Sequence, residues 1–155
     1  MATSGTGQST MGIRLIPPGP PDTYLGVANS MIRGSEQLAA ASPCCHLAHA
    51  LVASHILECI LKACLSCDGK DSHLKTKALR HNLAELWGKA HQEGLDIPST
   101  PPDWVQTLSH IHNNPYYLRY STGIHGLMTP GPEPATTELR AVLTMANEFV
   151  RTHRR

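Results

Sequence analysis

Glu58 and Lys62 stand four residues apart with the acid first, the order in which a helix brings the two head groups together as an ion pair. Within an apolar segment each needs the other, because an unpaired buried charge is very costly. The pair is therefore expected to be structural and to fix how its helix packs. His81 is expected to act in the same way, capping a helix or donating to a carboxylate. Further along, Tyr116, Tyr117 and Tyr120 crowd around Arg119. Rings and a guanidinium so close together can stack bases and hold a phosphate. The plainer reading is that the rings bury their area by pinning a long loop to the rest of the protein.

Ten histidines and five cysteines raise the question of a metal. Cys64-Leu65-Ser66-Cys67 is a lone C-x-x-C, and a structural zinc site needs a second pair at a suitable distance. Cys44, Cys45, His46 and His49 are close in sequence, as are His110 and His112, but neither group makes a standard ligand set. No metal and no other cofactor is expected from these spacings. A thioredoxin-like role would need a strand–helix setting that the sequence lacks. An odd number of cysteines, with no apolar leader near the N-terminus, points to free thiols in a reducing cytoplasm.

The 155 residues fit one domain, and charged residues make up only 16% of them. With a formal net charge of +1 there is no broad electrostatic footprint for nucleic acid or an anionic membrane. Any RNA would have to be held by a local patch. The chain contains no phosphate-binding glycine loop, no nucleophile elbow and no paired carboxylates.

The elements that must position these groups read as helices. Met1 to Pro21, rich in Gly, Ser, Thr and Pro, is expected to be disordered or extended. Asp22 is placed to cap a first helix carrying Leu25, Ala28 and Ile32 at helical spacing. Ser42 and Pro43 are expected to restart the chain as N-cap and first helical residue. The second helix, roughly Cys44 to Cys67, is apolar nearly all round and so belongs in the middle of the fold. Glu58 and Lys62 on it argue against a membrane span. A third helix is expected from about Leu79 to Gly94, and a fourth from Pro102 or Asp103 with Trp104, Val105, Leu108 and Ile111 buried. Asn113 to Pro134 reads as a long irregular stretch, after which Thr136 or Thr137 caps a last amphipathic helix. No strand and no repeat is predicted.

Four stretches of the chain resemble the HEPN superfamily. His55-Ile56-Leu57-Glu58-Cys59-Ile60-Leu61-Lys62-Ala63-Cys64-Leu65 is similar to the E-x-x-x-K-A-x-L helix of many bacterial HEPN proteins. Arg80-His81-Asn82-Leu83-Ala84-Glu85-Leu86 resembles their G-H-D-L-x-x-L, with Arg80 in place of the Gly and Asn82 in place of the Asp. Ala90-His91-Gln92-Glu93-Gly94-Leu95 is similar to the ending of that next helix, and Leu118-Arg119-Tyr120 to a later L-R-Y. The resemblance spans Leu47 to Tyr120. It implies an all-α, up-and-down bundle of four to five helices over residues 22–155, often paired as a homodimer. Many HEPN proteins are metal-independent endoribonucleases with an R-x(4–6)-H signature, which Arg119 and His125 match in spacing and order. In the chemistry so implied, the RNA 2′-hydroxyl attacks the adjacent phosphate, the His transfers a proton and the Arg neutralises charge on the phosphate. His125 lies in a Gly/Pro-rich stretch before the last helix. The expected function is therefore a HEPN-like binding module, with Tyr116, Tyr117 and Tyr120 as contacts. Its setting would be RNA metabolism, defence or a toxin–antitoxin system, beside a nucleotidyltransferase-type protein partner. The endoribonuclease is the second reading, and a purely structural helical protein the third.

Overall fold

A computed structural model describes residues 19–120 and 126–155. His125 and nearly all of the segment expected to be disordered or extended lie outside the described residues. Five α-helices account for most of the rest: α1 (Asp22–Ala40), α2 (His46–Cys64), α3 (Leu83–Gln92), α4 (Asp103–His112) and α5 (Pro132–His153). A single 3-10 turn, Ser72–Lys75, lies between α2 and α3. Among the described residues there is no strand, and the protein is an all-α bundle.

α2 is the shared partner. It packs on α1 and α5, which also pack on each other, and on α3 and α4, which form a second pair. Its sequence suits that place. Ala50, Ala53, Ile56, Leu57, Ile60 and Leu61 are all fully buried, and the small residues let neighbouring helices come close. By length and composition α2 could cross a membrane, but 72% of that stretch is buried inside the bundle. Its apolar character is thus the demand of a central helix with four neighbours.

Four helix starts differ from the sequence expectation. α1 takes in Asp22 as its first residue, with Pro21 at the N-cap and no side-chain cap. α2 begins at His46, after a bend in which the Cys44 thiol reaches the Leu38 carbonyl at the end of α1, so Ser42 is not its cap. α3 begins at Leu83, capped by Asn82, whose Oδ1 accepts from the Glu85 N–H at 3.3 Å. Leu79 is buried in the turn before it. α5 begins at Pro132, four residues before Thr136, because prolines fit a first turn whose N–H groups have no intrahelical partner anyway.

Thr136 instead turns inward. Its Oγ1 lies 2.7 Å from His49 Nε2, and Ser35 Oγ lies 3.1 Å from the same nitrogen. This buried knot joins α1, α2 and α5. A second polar knot, on the C-terminal half of α2, joins the other pair of helices.

Candidate functional site

The second knot is built on Glu58, a buried residue of α2 that is only 7% exposed. One turn on, Lys62 donates from Nζ to Glu58 Oε1 at 2.7 Å and also to the Arg80 carbonyl at 2.7 Å. The second carboxylate oxygen, Oε2, accepts from His81 Nδ1 at 3.0 Å and from His112 Nε2 at 2.7 Å. His81 stands just before α3 and His112 is the last residue of α4, so one carboxylate holds three elements together.

The electrostatics follow from that arrangement. Burial alone would raise the carboxyl pKa of Glu58, but hydrogen bonds from His112, Lys62 and His81 outweigh it and bring it down to about 2. An ionised carboxylate only accepts, so His81 carries its proton on Nδ1 and His112 carries one on Nε2. His112 Nδ1 is buried with no partner among the described residues. In the neutral ring that atom is a lone pair, which is less costly to leave bare than an N–H.

Above this clamp lies an exposed rim. The rings of His81 and His112 meet edge to face at 5.6 Å, and His81 and Tyr116 meet in the same way at 5.6 Å. Arg80, itself exposed, donates from its guanidinium to Tyr116 Oη at 3.2 Å. Tyr116 has a φ of 65°, unusual for a bulky residue, and backbone of this kind recurs at functional positions. Tyr120 packs edge-on against Tyr116 and remains 63% exposed. Arg119 is exposed. On the α2 side, His55 has its pKa lowered chiefly by burial; Glu58 opposes this, while the charges of His112, Arg119 and Lys62 add to it.

The tyrosine cluster is thus divided. Tyr116 and Tyr120 belong to the rim, whereas Tyr117 turns to His110, 6.1 Å away, and lines an open pocket of about 530 Å³ with Ile111, Leu127 and Met128. Glu58, Lys62 and His81 come together. Arg119 lies on the turn after α4, and its counterpart His125 falls outside the described residues. Two contributors, Arg80 and His112, were named in the sequence only as a motif departure and as half of a histidine pair, not as partners in this site. For His112 a signal was present: it stands four residues after Leu108, on the same buried stripe of α4.

Comparison of the chain with protein-family models, with curated proteins and with solved structures gives no match.

Proposed function

We propose that this protein is a HEPN-like helical module that binds single-stranded RNA on the rim formed by Arg80, Tyr116 and Tyr120, with Arg119 beside them. The observation that carries the reading is the position of that rim. It sits directly on the Glu58–Lys62–His81 clamp, the same residues on which the HEPN resemblance rests. Tyr120 offers a ring face for a base, and the two guanidiniums offer charge for phosphate. With a net charge of +1 the rest of the surface contributes little, so binding is local and short in footprint.

Fluorescence anisotropy with labelled single-stranded RNA tests this. Stacking of a base on an aromatic ring is worth about 1–3 kcal/mol, so Tyr120→Ala is expected to weaken binding by roughly 5- to 150-fold. Arg80→Ala should weaken it and flatten the dependence on salt. A folded protein that binds no RNA, or binding indifferent to both substitutions, overturns the reading.

The second reading, a metal-independent endoribonuclease using Arg119 and His125, is favoured by the exposure of Arg119 beside the same rim. Incubation of the RNA in EDTA separates the two. Cleavage that His125→Ala abolishes makes the module an enzyme, and intact RNA in a bound complex leaves it a binding domain.

A further inference from the structure

We propose that Glu58, His81 and His112 form a binding site for a divalent transition-metal ion. The three side chains bring one carboxylate oxygen and two imidazole nitrogens within 4.8 Å of one another. Two imidazoles and a carboxylate are a ligand set suited to zinc, iron, cobalt or nickel rather than to magnesium or calcium, which prefer oxygen.

The ligand atoms lie near the spacing an ion needs. Around a tetrahedral zinc ion, bonds of about 2.0–2.1 Å place neighbouring ligand atoms about 3.3 Å apart. Glu58 Oε2 stands 2.7 Å from His112 Nε2 and 3.0 Å from His81 Nδ1, so the carboxylate must draw back from both rings to admit an ion. Each ligand comes from a different element, α2, the turn before α3 and the end of α4, and the same hydrogen bonds hold each of them ready. Lys62 occupies Oε1 and leaves Oε2 for the ion, a second-layer hydrogen bond of the kind that orients ligating carboxylates.

Binding shifts protons within the site. Each imidazole must offer the nitrogen that now donates to Glu58, so its proton moves to the other ring nitrogen. For His81 that nitrogen belongs to a side chain 21% exposed, next to the rim. For His112 it is the buried Nδ1 without a partner, and an N–H there finds no acceptor. The ammonium of Lys62 also opposes a second cation. Both effects weaken the site, so its affinity falls below that of a dedicated structural zinc centre.

This site goes beyond the RNA reading and stands or falls without it. The experiment is titration of the full chain, freed of metal, with zinc by calorimetry and with cobalt by visible absorption. The expected result is one ion per chain, cobalt bands of nitrogen and oxygen ligation without thiolate charge transfer, and affinity at least ~10-fold lower in His81→Ala. His81→Ala is the chosen variant because the side chain is partly exposed and its loss leaves Glu58 with two donors; circular dichroism confirms that it folds. No binding at millimolar zinc, binding that His81→Ala leaves unchanged, or a cobalt–thiolate band would each overturn the proposal, the last by moving the ion to the cysteines.

Discussion

At the scale of single residues, Glu58 carries more consequence than any other polar side chain described. Its carboxylate satisfies three buried or half-buried donors at once. Glu58→Ala strands the Lys62 ammonium, which is 6% exposed, and leaves the His112 N–H bare in a ring that is fully buried. Breaking a buried charge pair from one side typically costs about 3–5 kcal/mol, and that loss is expected in urea denaturation of Glu58→Ala. Lys62→Met is expected to cost clearly less, because it replaces the ammonium with an apolar chain of similar length while the carboxylate keeps two histidine donors. Equal losses for the two variants would show that the histidines contribute nothing to holding the carboxylate.

At the scale of elements, the same logic joins α3 to α4. Asn82 caps α3 with its Oδ1, which also accepts from Ser109 Oγ at 3.3 Å, while that hydroxyl accepts from the Ala84 N–H at 3.0 Å. Ser109 on α4 is thereby part of the N-terminal cap of its neighbour. Asn82→Ala is expected to cost about 1 kcal/mol, as an N-cap does. Ser109→Ala should cost a similar amount, and the double variant less than the two together, because the first substitution already breaks the shared network. Additive losses in a double-mutant cycle would refute a joint cap. What the sequence revealed belongs mainly to this scale. Periodicity located all five helices, since each buries a stripe that repeats every three or four residues. Glu58 and Lys62 were legible as a pair because a helix fixes their separation. Helix starts were less so, as Pro132 and Pro134 read as loop until their place in a first turn is known. That His81 and His112 both meet Glu58 was not readable, because their approach depends on how α3 and α4 meet α2, which no local pattern records. The knot of Ser35, His49 and Thr136 was hidden for the same reason.

At the scale of the whole molecule, packing the bundle around α2 keeps a thiol of α2 and a phenol of α1 neutral to higher pH than in water. Burial pushes the Cys64 thiol from an ordinary value of 9.0 up to about 12, with Cys67 nearby adding to it. Burial likewise raises the phenol of Tyr24, as do its hydrogen bond to Asp71 at 2.7 Å and the negative charge there. The sign follows from linkage. A raised pKa means that the unfolded chain loses its proton first, so the folded state has its full advantage below about pH 9 and gives it up as pH climbs toward 12. The protein is therefore expected to lose stability in alkali from about pH 9 upward. Cys64→Ala and Tyr24→Phe remove the two groups with little change of shape. Denaturant midpoints measured from neutral to strongly alkaline pH should fall steeply for the parent chain and more gently for the double variant, with the curves diverging above about pH 9. Parallel curves would mean that neither group is shielded from water, which would contradict the central burial of the C-terminal end of α2.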